Sequence, residues 1–317
     1  MTVSAQGKRA STGLRRSLHA RERRLAWLLI SPTVLIVFGL VLFPAVFSIW
    51  ISFHDVGLKE LGNVFRADFI GLENYRRVFD DFAFKFQGFS NWGAAVTSVV
   101  YSVTATILTM AVGLAAALIL NHSFRARGLA RAVFLFPYVA PIVSVAFVWR
   151  WILDPRPSGV LNDVLMRIGL IDLPKAYLAQ RGLALVLVIT FTAWRYFPFA
   201  MLMLLARLQA IDTTLYEAAD VDGASTFKKF WYVTLPELRY IFGAIFLLRL
   251  IWTFNKFDDI WLLTGGGFGT NVLPVLTYQF SFQMNDFGMG AANAMILLGI
   301  LIVFLVLYLG IFMRAEE

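Results

Sequence analysis

The stretch YEAADVDGASTFKKFWYVTLPEL, residues 216–238, is polar, interrupted by glycine and flanked on both sides by apolar runs. Its neighbours decide the class. Of the 317 residues, 59% are hydrophobic and 15% charged, and the mean hydropathy is +0.71, far above that of a soluble domain. Six apolar runs, 25–53, 94–120, 132–151, 182–206, 240–263 and 289–313, are each long enough to cross a bilayer as a helix of about 20 residues. The expectation is an all-α integral membrane protein. It has a basic tail at 1–24, a six-helix transmembrane domain at 25–313 and a short C-terminus at 314–317.

The approach KRASTGLRRSLHARERR is basic like that of a signal peptide. The apolar run behind it is too long for a signal core, and no small-residue cleavage site follows, so an uncleaved first helix is expected. Segments 1–24, 121–131, 207–239 and 314–317 hold 15 Lys and Arg against 9 in the opposite loops, an asymmetry that rests on the tail and puts both termini in the cytoplasm. The formal charge of +8 concentrates in that tail, where anionic lipid headgroups meet it, so membrane lipid rather than nucleic acid is the expected partner. There is no cysteine, and His19, His54 and His122 lie apart, so neither thiol chemistry nor a metal site is expected.

Local signals within the opening stretch spell two short helices around a turn, a helix-turn-helix spanning 212–238 on the cytoplasmic side. Thr214 and Glu217 have capping-box spacing. Gly223 after Asp222 suits a left-handed helix stop, and Ser225 suits the cap of a second helix. The bracket is expected to expose Tyr216, Phe227, Phe230 and Trp231. Groups of that size must be covered by the chain's own helix ends, by the headgroup layer or by a partner's groove.

The segment EAADVDGA at 217–224, followed by Phe230 and by Leu235-Pro236, resembles the EAA loop of permease subunits of binding-protein-dependent ABC importers. The resemblance implies that Tyr216, Glu217, Ala218, Ala219, Asp222, Gly223, Ala224, Phe227 and Phe230 couple the chain to a separate ATPase. Relatives often carry proline four residues after that of the LP pair, where this chain has Tyr240. FIGLENYRRVF at 69–79, FPYVAP at 136–141 and FDDIWLLTGGG at 257–267 are similar to the carbohydrate-uptake subfamily of the maltose and glycerol-phosphate type. The LTGGG ending resembles the first of its two dissimilar permeases, although Phe268 stands where proline usually follows. A second permease, two ATP-binding subunits, an extracytoplasmic solute-binding protein and a carbohydrate substrate are therefore implied, in a bacterial inner membrane. No cofactor is expected in this chain, with ATP and Mg belonging to the partner ATPase.

Within the fourth run, Thr192, Arg195, Tyr196 and Phe199 recur at i, i+3, i+4 and i+7 and share one helical face, with Trp194 and Pro198 beside it. Arg195 lies 13 and 11 residues from the ends of its run. At that depth an unpaired guanidinium costs at least ~2.5–3.5 kcal/mol, so it must face protein or water. Pro198 has no amide to donate, which frees backbone carbonyls beside the same face. The fifth run repeats the pattern with Arg249, Thr253 and Lys256, joined by Trp252 and Asn255. In related sugar permeases these two helices line the substrate chamber. Tyr196, Trp194 and Trp252 offer flat surfaces for sugar CH faces, and the three cations suit a carboxylate, sulfonate or phosphate. The competing expectation is internal pairing, above all of Lys256 with Asp259 at i+3 or with Asp258.

Arg150, between two tryptophans at the end of the third run, is read as reaching the outer interface. The loop 54–93 reads as a solvated face, and the family resemblance implies that such a loop can also meet the binding protein. Gly265–Gly267 lacks the Lys-Ser/Thr of a phosphate loop and reads as a turn, and no GxxxxGK[ST] occurs anywhere, so the chain is not itself the ATPase. A self-contained secondary transporter for a polar or anionic solute is the alternative, although no internal repeat is evident. A membrane enzyme finds no catalytic set beyond Asp258 and Asp259.

Overall fold

The computed structural model describes residues 25–81, 83–85 and 93–313; the basic tail and the last four residues lie outside them. Among the described residues all regular structure is helical, apart from two isolated bridges, His54 with Phe69 and Gly57 with Asp286. That follows from the solvent, because hydrocarbon offers no partner for a backbone N–H or C=O and a helix satisfies both internally. The helices are α1 (Leu25–Ser52), α2 (Glu73–Asp80), α3 (Gly93–Asn121), α4 (Arg127–Val139), α5 (Ile142–Ile152), α6 (Val160–Arg167) and α7 (Leu183–Leu208). They continue with α8 (Thr213–Val221), α9 (Thr226–Lys229), α10 (Leu235–Phe254), α11 (Asp258–Thr264), α12 (Leu273–Tyr278) and α13 (Phe287–Met313).

Two of the six expected spans are not single rods. Leu25–Ser52, Gly93–Asn121, Leu183–Leu208 and Phe287–Gly310 are long and apolar enough to cross a membrane, and a fifth crossing exists if α4 and α5 count as one span. These two helices are bent by 95° at Ala140-Pro141. Proline has no N–H to continue the ladder and pushes its predecessor into extended backbone, and Ala140 has ψ 141°. The run 240–263 breaks as well: α10 stops at Phe254 and α11 restarts at Asp258, leaving Asn255, Lys256 and Phe257 between them. Hydropathy alone does not reveal direction, which is why both runs read as straight from sequence.

Helices α3 and α7 pack backbone to backbone. A Cβ at Gly113 would lie 2.7 Å from the Cβ of Ala200 and 3.1 Å from the Phe197 carbonyl oxygen. Small side chains allow this approach, which replaces the hydrophobic drive that lipid does not supply. Met110, Ala117 and Leu120 of α3 meet Phe197, Ala200, Met201 and Leu204 of α7 there, with Leu238 and Ile245 of α10 closing the cluster. A second cluster joins Tyr101 and Ala105 to Val188, Phe191 and Ile260, and a third joins Ala94 to Phe254, Leu273 and Phe280. Helix α1, by contrast, buries none of its apolar window and presents it outward.

The GLENY segment fastens α1 to the remainder. The fully buried Asn74 amide donates to the carbonyls of Ser52 at 3.1 Å and His54 at 2.9 Å, which the end of α1 leaves without helical partners. Tyr75 hydrogen-bonds Ser52 at 2.8 Å, and Arg77 pairs with Asp286 just before α13.

Replacing Gly113 with alanine gains ~0.8–1 kcal/mol of helix propensity but overpacks the α3–α7 contact at ~1–3 kcal/mol. A net loss of stability is expected for Gly113→Ala and a larger one for Gly113→Leu, read as a fall in the thermal midpoint of the detergent-solubilised protein; an unchanged midpoint in both would contradict the close approach.

Candidate functional site

The polar residues of α7, α10 and α11 converge on the ring of Tyr196. The guanidinium carbon of Arg249 lies 4.5 Å from the ring centroid, the ammonium of Lys256 4.6 Å and the guanidinium carbon of Arg195 5.6 Å. Each falls within the ~6 Å range in which a ring's negative face attracts a cation. The phenol donates a long hydrogen bond, 3.4 Å, to Asp259 Oδ1, and Thr192 donates to Asp259 Oδ2 at 3.2 Å. Because the Thr192 proton is committed to Asp259, the Tyr101 hydroxyl at 2.9 Å is the donor to Thr192. Asp259 is fully buried, so these hydrogen bonds and the neighbouring cations replace the water it has lost.

The bend between α4 and α5 supplies the seat of Arg195. In an unbroken helix the carbonyl of Pro137 would accept from residue 141, and that residue is proline. The carbonyl is therefore free, and Arg195 Nη1 donates to it at 3.2 Å. Arg249, only 2% exposed, donates through Nη2 to Thr253 at 3.1 Å. Its Nε and that of Arg195 are buried without a hydrogen-bond partner. Beside them lies a cavity of about 290 Å³ lined by Tyr138, Tyr196, Arg249, Trp252, Asn255, Lys256 and Asp258.

The structure thus brings Arg195, Tyr196, Arg249, Thr253 and Lys256 together, and sets Phe199 on Trp252 with ring centroids 5.3 Å apart. Asn255 stands at the rim, its amide returned to the Ile251 carbonyl at 2.9 Å. Thr192 is buried behind the ring rather than on the cavity wall. Trp194 departs from expectation: it packs on Trp149 at 5.6 Å and Phe191 at 6.5 Å, in an apolar cluster away from the cavity. Two residues after Thr192, at 100° per residue, it points to the far side of α7. The i, i+3 pairing of Lys256 with Asp259 also fails, because the helix is interrupted between them. Lys256 instead meets Asp258 at 3.4 Å, and Asp259 turns inward. Tyr101, Tyr138 and the inward role of Asp259 escaped the sequence reading; the one signal was a pair of aspartates inside an apolar run.

The Gly265–Gly267 segment forms a turn, with Gly265 at φ 62° and Gly266 at φ 81°. Phe268 follows at φ 53°, a value proline cannot adopt, so this turn differs from one that continues with proline. Arg150 is exposed and borders a cleft of about 770 Å³ with Trp151, Trp261 and Phe268.

On the other side, α8 and α9 form the loop singled out at the start. Asp212, not Thr214, caps α8: its Oδ1 accepts from the Thr214 amide at 2.9 Å, which holds the carboxyl below its usual range. Aspartate caps at least as well as threonine, so the helix starts two residues early and the Thr214–Glu217 box does not form. Glu217 is left exposed, as are Ala218 and Asp222, while Ala219 and Ala224 are half-buried. Gly223 at φ 69° ends α8, and the Ala224 amide reaches back to Ala219 at 2.9 Å. Ser225 Oγ accepts from Lys228 at 3.4 Å, and α9 runs through a π-helical segment, Phe230–Thr234, directly into α10.

The exposed apolar set also differs from expectation. Phe227 (71%) and Trp231 (49%) are exposed and are joined by Val221 (89%) and Tyr232 (80%). Tyr216 and Phe230 are half-buried, because Tyr216 packs on the α3–α7 core and hydrogen-bonds Thr234 at 2.9 Å.

The family model described as "Binding-protein-dependent transport system inner membrane component" matches residues 109–315. An inner membrane ABC transporter permease protein of Escherichia coli, YcjO, is 35% identical over 285 residues, 90% of this chain and 92% of its own length. The trehalose/maltose transport system permease protein MalF of Thermococcus litoralis is 32% identical over 93% of this chain and 95% of its own. The sulfoquinovosyl glycerol transport system permease protein SmoG of Agrobacterium fabrum is 30% identical over 93% and 92%. A chain of a bacterial ABC transporter involved in import of the acidic polysaccharide alginate shares the fold, with TM-score 0.80 over 96% of this chain and 100% of that one at 21% identity. The chain belongs to the family of binding-protein-dependent transport system inner membrane components: it is a permease subunit of an ABC importer, a non-enzymatic part of a machine whose ATPase is a separate subunit.

Proposed function

We propose that this permease forms part of the path of a carbohydrate importer, and that the cavity beside Tyr196 receives a sugar bearing an acidic group. Two relatives are named for sugars, one for trehalose and maltose and one for a sulfonated glycoside, which supports a carbohydrate without choosing its charge. The observation that carries the acidic reading is Arg249, nearly fully buried with its Nε unpartnered, next to Lys256 in the cavity wall. Three cations, Arg195, Arg249 and Lys256, face two carboxylates, Asp258 and Asp259, and Asp259 is already occupied by Thr192 and Tyr196. A carboxylate, sulfonate or phosphate brought into the cavity would complete that balance, while Trp252 and Tyr138 would cover the CH faces of the ring.

The remaining assignments follow the family. A second, dissimilar permease completes the path; two ATP-binding subunits hold ATP and Mg; and an extracytoplasmic binding protein delivers substrate at the outer face. Residues 25–313 form the membrane domain, in an orientation with both termini cytoplasmic. Closure of the ATPases pulls on the bracket at 212–238 through Val221, Phe227, Trp231 and Tyr232, turning the path outward, and hydrolysis with product release resets it.

Glu217→Ala and Gly223→Pro are expected to assemble into the complex and to lose ATP-driven uptake, since proline cannot take up φ 69°; normal uptake by both would remove the coupling role. Stimulation of ATP hydrolysis in the reconstituted complex with its binding protein, across neutral, carboxylated, sulfonated and phosphorylated sugars, tests the substrate. An anionic sugar should stimulate, and Arg249→Ala or the less buried Lys256→Gln should weaken its effect about tenfold or more, as expected for loss of a charge-assisted contact of ~1.5–3 kcal/mol. Stimulation by neutral sugars alone would make the cations structural.

A further inference from the structure

The two helices that wall the cavity are also joined at their opposite ends. Arg207, in the last turn of α7, donates through Nη2 to the Glu237 carboxylate at 2.6 Å and through Nε to the Glu237 backbone carbonyl at 3.1 Å. Glu237 sits in the first turn of α10. Each charge is favourably placed, the cation at a helix C-terminus and the anion at an N-terminus. The planar guanidinium satisfies both acceptors at once, which a lysine ammonium cannot do with the same fixed geometry. Because one acceptor is main chain, the contact holds the axis of α10 and not merely a mobile carboxylate. Both side chains are 38% exposed, so the pair adds little to stability; its interest lies in what it connects.

Between Arg207 and Glu237 the chain leaves α7, builds the α8–α9 bracket and returns as α10. Within the bracket, Lys229 pairs with Asp220 and Tyr216 with Thr234, which ties its two arms to each other. Its return arm runs without interruption through the π-helical segment Phe230–Thr234 into α10, whereas its outgoing arm reaches α7 through the short non-helical connection before Thr213. A displacement of the bracket would therefore reach α10 directly, and with it Arg249 and Trp252. It would reach α7, and with it Arg195 and Tyr196, through the hydrogen-bonded turn at 209–212 and the apolar packing of Ile211, Leu238 and Ile245 on the α3–α7 core. Packed helices can slide across such contacts unless a polar clamp fixes the feet of the two helices.

We propose that the Arg207–Glu237 pair is a positioning clamp that makes α7 and α10 follow the bracket together, so that both walls of the cavity shift in one step. The proposal rests on the coupling role given to the bracket above. The clamp touches neither substrate nor nucleotide and acts by fixing the relative placement of two helices.

The test is uptake per ATP hydrolysed by the complete importer in proteoliposomes with its binding protein, for Arg207→Met, Glu237→Gln, the double variant and Arg207→Lys. Each of the first two is expected to keep hydrolysing ATP while the ratio falls about fivefold or more, the lower end of typical coupling energies. The double variant should be no worse than the weaker single, because removing the second partner of a broken pair loses nothing further. Arg207→Lys, which keeps the charge and loses the fork, should fall between. Ratios within about twofold of the unsubstituted protein in both single variants, or losses that multiply in the double, would overturn the clamp. Gly223→Pro separates the two ideas: if it uncouples while the pair variants do not, the clamp alone falls; if it remains coupled, the bracket's role falls and the clamp with it.

Discussion

A charge inside a bilayer must find a partner within the protein, and most of what is distinctive in this chain serves that constraint around Tyr196. Three cations reach its ring, one buried carboxylate holds its hydroxyl, and a threonine and a second tyrosine complete the chain of donors. Apolar clusters lie on either side of this arrangement. They provide a dry frame in which an aromatic face and a few hydrogen bonds are worth more than they would be in water. The same dry frame makes the unpartnered Nε atoms of Arg195 and Arg249 costly, and of the two arginines it is Arg249 that borders the cavity.

The breaks in the helices are part of the same solution. An unbroken helix over 240–263 would place Lys256 and Asp259 at i, i+3 on one face, as a neutral pair. Interruption at 255–257 instead lets Lys256 turn toward the ring and Asp259 turn under it. The polar residues are thus separated into an outward group that faces the cavity and an inward group that is already satisfied. Membership of a binding-protein-dependent family also sets aside the self-contained transporter, because the energy for moving the walls enters from outside the chain.

Much of this was legible in the residues, and the failures have physical causes. Apolar run length identified the membrane class, and the shared face of Arg195 and Tyr196 together with Arg249 and Lys256 identified the polar centre, because helical periodicity and hydrocarbon depth are properties of local sequence. Gly223 and Ser225 announced the ends of the loop helices for the same reason. Direction was not legible: Ala140-Pro141 and Asn255–Phe257 change the course of a helix without changing its hydropathy. Trp194 neighbours the polar face in sequence but not in angle, and the start of α8 is ambiguous because two adequate caps, Asp212 and Thr214, stand two residues apart. The role of Asp259 depends on α3 and α7 meeting α11, contacts that no window of sequence contains.

The proline at 141 acts in two ways: its ring holds Ala140 in extended backbone at the 95° bend, and its missing amide leaves the Pro137 carbonyl open to Arg195. Shape and charge accommodation at this corner therefore meet in one oxygen atom. An amide restored at 141 would be a second donor competing for the Pro137 carbonyl, and loss of the arginine would leave that carbonyl bare at the bend, so a change at either position is felt at the other.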